Sequence, residues 1–444
     1  MKQIAWALIL VAFGVPPVTA TDLTVERTAR QTVQGWGLTI APADWDGRPQ
    51  LTSPEMMKTL LGSSHASVVR IVVNGGLYRE DLSRLDQGRA DSLLGPSLDA
   101  IRENGIRKYI ISFHSPPNSM KTYFNDAGEV HFDPNSLRPD RARDFVDYVA
   151  AVLSYSRRRV GWAPVGVILA TRPDINDGCA YTPEQWRSLL ALAGPVIVGQ
   201  GLPPIAILGP ETATVQGLHD FLDLGAEGGN APVAGSAVTD VAISGEPTSD
   251  IGSESDALLI RDLASCHKFR KPVWLIDCGP DPRLTESQLL PGTFSALGRD
   301  LVLIGADYWI WRYGYSNLAR RDSLYWGQTL GPSPISLALT RLWQLAPAGS
   351  SVHRVRSIET DSPRIYPSSV EAFALVYGHR LVITIANREK KPRIYRLTCP
   401  ESESAQCSIY STDYYKENIA TYFWNHIATI SLPPESVGII ESGY

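Results

Sequence analysis

From Val33 to about Trp311, short apolar runs rich in β-branched residues alternate with stretches whose apolar residues repeat at helical spacing. The runs end near Ile40, Val73, Phe113, Leu169, Leu208, Ile243, Ile276 and Ile310. Eight evenly spaced strands with helices between them predict an α/β fold, a (β/α)8 TIM barrel over residues 33–344. Two helices show the pattern in detail. In DFVDYVAAVL, Phe145, Tyr148, Val149 and Val152 share one face, and Arg157 to Arg159 follow at the end that the helix dipole favours for cations. In TPEQW, Thr182 can cap, Pro183 suits the first turn, and Gln185 completes a capping box. Past Pro347 the helical period disappears. FALVYGHRLVITIAN, RIYRLTCP, CSIYSTD and ATISLPPESVGII are short strands broken by turn residues, so residues 345–444 are expected to form an antiparallel β-sandwich side domain. The alternation of residues 21–32 predicts an N-terminal strand that pairs into that same sheet.

The first twenty residues differ from everything after them. MKQIAWALILVAFGVPPVTA carries one early lysine, an apolar run from Ile4 to Val15 and a small residue at Ala20, the pattern of a cleavable signal peptide. A secreted or periplasmic protein is expected. The run is too short to span a bilayer, so no membrane span is expected. A net charge of −5 leaves no basic excess to neutralise phosphates, which argues against a nucleic-acid partner. There is no CxxC, HExxH or histidine cluster, so neither a metal nor a cofactor is expected. Nothing in the chain asks for a partner subunit, and a monomer is expected. Of five cysteines, Cys399 and Cys407 lie eight apart between strand-like runs, and a disulfide across a hairpin is expected there. Cys179, Cys266 and Cys278 then leave at least one free thiol.

In barrels of this kind, chemistry sits at the C-terminal ends of the strands. Those ends supply Arg70 and Asn74 in VVRIVVN, His114 in SFHSPPNSM, Arg172 and Asp174 in ILATRPDIND, and Glu211 in AILGPET. They continue with Glu246 in AISGEP, Asp277 in PVWLIDCG, and Trp309, Trp311, Arg312, Tyr313 and Tyr315 in YWIWRYGYS. Flat amphipathic rings stack on sugar faces, so these aromatics, with Trp36 and Trp45 near the first strand, are candidates to bind a polysaccharide or oligosaccharide. The alternative role for such rings is to fill a large core. Arg312 suits an acidic substituent such as a uronate. Asp174 can bind a sugar hydroxyl or cap a loop.

Several stretches together resemble glycoside hydrolase family 30, which includes glucuronoxylanases, β-1,6-glucanases and glucocerebrosidase. QTVQGWGLTIAPADW is similar to its first strand, SFHSPPNSMKT to its third-strand loop, YTPEQW to the helix after strand four, GPE around Glu211 to strand five, and LPPESVGII to the closing strand of its side domain. The resemblance covers nearly the whole chain after residue 20, in order. It implies two carboxylates about 5 Å apart, one attacking the anomeric carbon and one protonating the leaving oxygen. The family's acid/base is the Glu of an Asn-Glu-Pro motif. Here Thr171-Arg172-Pro173 aligns with it, and a guanidinium gives up no proton at any working pH. The family's nucleophile is the Glu of Trp-x-Thr-Glu, aligned on Trp274, Ile276 and Asp277, so the carboxylate is one carbon bond, roughly 1.5 Å, shorter. The His-Tyr usual after strand six is replaced by Ser244-Gly245.

Two functional readings follow. One is a secreted glycosidase acting on a β-linked glycan of xylan, β-glucan or galactan type, its proton donor relocated to Glu246 or Glu211. The other is a non-catalytic protein that kept the fold and binds the glycan, with Asp277 in a salt bridge to Arg172 or Arg70.

Overall fold

A computed structural model of the chain describes residues 20–42, 54–80, 84–122, 136–175, 179–222, 239–245, 257, 260–262, 271–279, 283–316, 323–326, 331–357, 371–399, 404–412, 415–422 and 426–443. Within these, the side chains of 313–316, 323–326, 331, 415–418 and 420 are not described. Residues 1–19, where a signal peptide is expected, and Trp45, Glu246 and Cys266 lie outside.

The chain opens with strand β1 (Thr21–Thr32) and then enters the barrel. The barrel strands are β2 (Gly35–Ile40), β3 (Val68–Val73), β4 (Lys108–Phe113), β5 (Gly166–Ile168), β6 (Ala206–Ile207), β7 (Val241–Ser244), β8 (Val273–Cys278) and β9 (Tyr308–Trp311). All pair in parallel in the order β6-β5-β4-β3-β2-β9-β8-β7. Parallel bridges Leu208–Asp240 and Thr212–Ile243 join β6 to β7 and close the ring. Helices α1 (Pro54–Ser64), α2 (Gly95–Glu103), α3 (Ala142–Val160), α4 (Pro183–Gly199), α5 (Val215–Leu222), α6 (Glu286–Arg299) and α7 (Pro334–Leu345) follow strands around the outside. The cap at α4 forms reciprocally: Gln185 N–H donates to Thr182 Oγ1 at 3.2 Å, and Thr182 N–H donates to Gln185 Oε1 at 2.7 Å. Helix α3 ends on Gly161, whose φ of 98° reverses the chain.

The barrel interior is a separate apolar plug of Val68, Ile110, Ile168, Leu208, Ala242, Trp274, Ile276 and Ile310. At its floor the Trp274 ring lies on Tyr308, centroids 3.6 Å apart and nearly parallel. Gly37 belongs to this layer because a Cβ there would sit 2.7 Å from Val68 Cγ1 and 2.9 Å from its carbonyl.

After α7 come β10 (Ser351–Ser357), β11 (Ala372–Tyr377), β12 (Arg380–Asn387), β13 (Arg393–Thr398), β14 (Ser404–Tyr410), β15 (Tyr415–Tyr422), β16 (Ile427–Leu432) and β17 (Ser436–Gly443). With β1 they make a nine-stranded sheet in the order β15-β14-β17-β12-β11-β10-β1-β13-β16. Only the β1–β13 pairing is parallel; every other neighbour is antiparallel. One apolar core contains Leu397 near one end of that order and Ala405 near the other, so the sheet folds over on itself as a sandwich. Phe373, Leu375, Val382, Val437 and Ile439 from the other face join the core around the barrel.

The expected disulfide is corrected by this topology. Cys399 follows β13, Cys407 lies in β14, and the two strands stand at opposite ends of the sheet order rather than in one hairpin. Both are separate buried thiols, as are Cys179 and Cys278. Burial alone pushes the Cys407 thiol up to about 12.

Candidate active site

Side chains alternate along a strand, so residues two positions beyond the apolar plug face the same interior, one layer nearer the C-terminal mouth. Thr39 stands two beyond Gly37, Arg70 two beyond Val68, and Ser112 two beyond Ile110. A polar layer therefore sits on an apolar one. Arg70 is its centre and is fully buried. Its Nη1 donates to Asp277 Oδ1 at 2.5 Å, and its Nη2 donates to Glu211 at 2.8 and 2.9 Å and to Ser112 Oγ at 3.0 Å. Thr39 Oγ1 donates weakly to the same Asp277 oxygen at 3.5 Å.

Asp277 reaches this layer by breaking the alternation. Trp274 and Ile276 already face the interior, so regular backbone would turn Asp277 outward. Instead Asp277 has φ 57°, and the pairing of β8 with β9 slips between Leu275 and Cys278. The left-handed residue swings the carboxylate inward and Cys278 outward into the surrounding core. Arg172 has φ 47°, and its N–H donates to Glu211 O at 2.7 Å. Its Nη2 lies 3.6 Å from Asp277 Oδ2, with 15% and 13% of the two side chains exposed. Two non-glycine residues in left-handed backbone thus meet at one mouth.

The electrostatics follow from sharing one guanidinium between two carboxylates. Burial pushes Asp277 upward, but the charges of Arg70 and Arg172, the Arg70 hydrogen bond and the charge of Arg312 outweigh it and hold the carboxyl below its ordinary range. Glu211 has the opposite fate. Its complete burial, with Asp277 pressing on it, outweighs Arg70 and Arg172 and pushes it up to about 8. Arg70 stays charged: burial opposes its charge, and Asp277 and Glu211 more than restore it. His114 is lowered to about 3 by burial and by the Arg70 and Arg172 charges, so it is neutral when its Nδ1 pairs with Thr171 Oγ1 at 2.7 Å.

Arg70, Arg172, Glu211 and Asp277 are therefore brought together, with Arg312 close enough to act on Asp277 and His114 close enough to feel their charge. The other candidates stand elsewhere. Trp36, Trp309 and Trp311 are fully buried in the core around the barrel, which corrects their expected role as sugar platforms. Trp36 Nε1 donates to Ala346 O at 2.7 Å and its ring stacks on Trp343, while Trp309 Nε1 donates to Asp300 at 2.9 Å. Each points outward because its neighbour in the strand, Gly37 or Ile310, points in. Asp174 takes the loop-capping alternative: its carboxylate accepts from Ala213 N, Thr214 N and Thr214 Oγ1 at 2.8–2.9 Å and fastens the turn before α5. Asn74 caps a short turn through Gly76 N at 3.0 Å. For Tyr313 and Tyr315 only the backbone is described, in a short strand at Tyr313–Ser316. Ser112 and Thr39 were missed by the sequence reading. Their signal was a hydroxyl two residues past an inward-facing position in an apolar strand.

No family model and no curated relative matches the chain. Solved structures do. A GH30 endoxylanase from Clostridium papyrosolvens superposes with TM-score 0.71 at 15% identity, covering 96% of this chain and 100% of that one. The family 30 subfamily 8 xylanase of Clostridium acetobutylicum gives 0.69 at 18% identity, covering 95% and 100%. The fold is that of the GH30-like glycoside hydrolases. A conserved exported protein of Bacteroides fragilis shares it, with TM-score 0.68, 14% identity and coverage of 94% and 99%. In this GH30-like frame the charged layer lies at the C-terminal mouth of the barrel, the end where such barrels carry their chemistry. No helix among the described residues is long and apolar enough to cross a membrane.

Proposed function

We propose that this chain is an exported GH30-like protein that binds a β-linked polysaccharide at the barrel mouth and cleaves it poorly or not at all. One observation carries the reading: both carboxylates gathered at the mouth are held by the single guanidinium of Arg70, and Arg172 lies against the outer one. A retaining glycosidase needs one carboxylate free to attack and one carboxylic acid within reach of the leaving oxygen. Asp277 is clamped from two sides, and its depressed pKa makes it a weak nucleophile. Glu211 is fully buried with both oxygens on Arg70, which leaves no face for a substrate oxygen. Loss of the general acid alone costs about 10²–10⁴-fold in rate. Export is supported by the apolar leader and by the likeness to an exported protein.

The test is turnover on xylan, β-glucan and galactan by wild type, Arg172→Glu, Asp277→Glu and the double variant. Each single change is expected to do little. The double change is expected to raise hydrolysis well beyond the sum of the two, because acid and nucleophile act in one transition state. A second reading rests on the raised pKa of Glu211, since a carboxyl that keeps its proton near neutrality is what a general acid requires. Rapid wild-type turnover that Glu211→Gln or Glu246→Gln abolishes would establish an active glycosidase with a relocated acid and overturn the binding reading.

A further inference from the structure

Asp277 is held by two guanidiniums that differ in kind. Arg70 takes the inner oxygen, Oδ1, at 2.5 Å, from a side chain that is 1% exposed. Thr39 Oγ1 turns to the same oxygen at 3.5 Å. Arg172 faces the outer oxygen, Oδ2, with its Nη2 at 3.6 Å, beyond the ordinary length of an N–H···O bond. Both members of this outer pair keep an edge in solvent. The inner contact is therefore a directed bond in a dry layer, and the outer one is an attraction between charges at the rim. Salt and water reach only the second.

The backbone explains how the rim contact is made and how it can be broken. Arg172 N–H donates to Glu211 O at 2.7 Å, its carbonyl accepts from Ile175 N at 3.2 Å, and Thr171 bridges Glu211 in parallel. The main chain is thus fixed between the segments that follow β5 and β6, and φ at 47° sends the side chain toward Asp277. The guanidinium stands at the end of a long rotatable stem. It can swing aside while Arg70, Glu211 and both strands stay in place. Oδ2 is then an open carboxylate oxygen, and Oδ1 on Arg70 keeps the group oriented.

We propose that Arg172 is an autoinhibitory latch: its guanidinium covers Asp277 Oδ2, and screening or removing that charge uncovers a carboxylate able to attack an activated glycoside. The latch rests on the reading of the mouth as a glycan site and refines it, because one side of the clamp on Asp277 is permanent and the other removable. In the uncovered step, Oδ2 bonds to the anomeric carbon while the bond to the leaving oxygen breaks, and the electron pair departs with that oxygen. A leaving group that is stable as an anion needs no proton. The alkoxide leaving from a polysaccharide does need one, so the polymer itself stays uncut.

The probe is dinitrophenyl β-xyloside, with the β-glucoside and β-galactoside beside it, applied to the full chain. Two signals are read: release of dinitrophenolate, and a gain of one glycosyl group in the intact mass. Wild type in dilute buffer is expected to label slowly. Sodium chloride at about 1 M, which screens charges beyond roughly 3 Å, should speed that labelling several-fold. Arg172→Gln should label about fivefold faster or more without salt, the effect of losing an ion pair at a partly exposed site, and should lose the response to salt. Arg172→Lys should keep both the slow rate and the response, and Asp277→Asn on the Arg172→Gln background should abolish the adduct. Labelling by Arg172→Gln no faster than wild type overturns the latch. So does wild-type labelling that salt leaves unchanged, an outcome that needs no variant to fold. Retention on insoluble xylan, measured on the same proteins, reports on the glycan-binding reading separately, because the latch is judged from labelling alone.

Discussion

Arg70 is the residue on which the mouth depends. Its guanidinium hydrogen-bonds both Asp277 and Glu211, and its removal takes that shared cation away from two buried acids. Arg70→Met is expected to cost about 3–5 kcal/mol in urea unfolding. Arg70→Lys should recover little, because an ammonium cannot span two carboxylates as a planar fork does. The two carboxylates also give opposite pH dependences. Glu211 rises from 4.5 to about 8 on folding, so the folded state binds the extra proton and stability falls as pH climbs through that window. Asp277 is depressed, so its contribution is present above the ordinary carboxylate range and is lost as pH falls through its folded value. Urea midpoints measured against pH should therefore decline from weakly acidic to weakly alkaline solution, and Glu211→Gln should flatten that decline. At this scale the sequence named Arg70, Arg172, Glu211 and Asp277 because they end strands. It did not reveal that Arg70 would hold both carboxylates, since a side chain's partners across a barrel depend on register and not on spacing along the chain.

Strand β8 shows how an element can mislead. Read by alternation, Trp274 and Ile276 face one way and Asp277 the other, so the pattern alone would put the carboxylate outside the barrel. The left-handed turn at Asp277 reverses that, and the likeness of PVWLIDCG to a nucleophile strand anticipated the position without its cause. Asp277→Asn keeps a residue that tolerates positive φ, whereas Asp277→Val adds a β-branched side chain there. Asp277→Val is expected to unfold at clearly lower urea than Asp277→Asn, and the difference isolates backbone from charge. The aromatic run in β9 was over-read for a related reason. A ring at a strand end is equally good at stacking on sugar and at filling the layer behind the strand, and Ile310 turned its neighbours outward. The start of helix α4 was legible, because a capping box is a local device: Thr182→Ala is expected to cost about 1 kcal/mol by the same urea assay.

The molecule as a whole joins barrel and side sheet through one shared core, with Phe373, Leu375, Val382, Val437 and Ile439 packed into the layer that surrounds the barrel. Calorimetry is expected to give one cooperative transition, and residues 345–444 expressed alone should lack native dispersion by NMR, having lost both β1 and that packing surface. The barrel was legible because eight runs at even spacing admit few other folds. The closure of the side sheet was not, since strand order beyond hairpins leaves no local trace, and Cys399 and Cys407 looked like neighbours for that reason. The insertion of β1 between β10 and β13 has a consequence for how the protein is made. Asp22 binds Arg396, 374 residues later, so β1 has neither of its strand partners until β10 and β13 have been made. A growing chain therefore carries β1 with both edges open until residues 351–357 and 393–398 have left the ribosome. Ribosome-arrested chains ending at residue 344 should be cut by protease within residues 21–32, and chains that extend through residue 443 should resist.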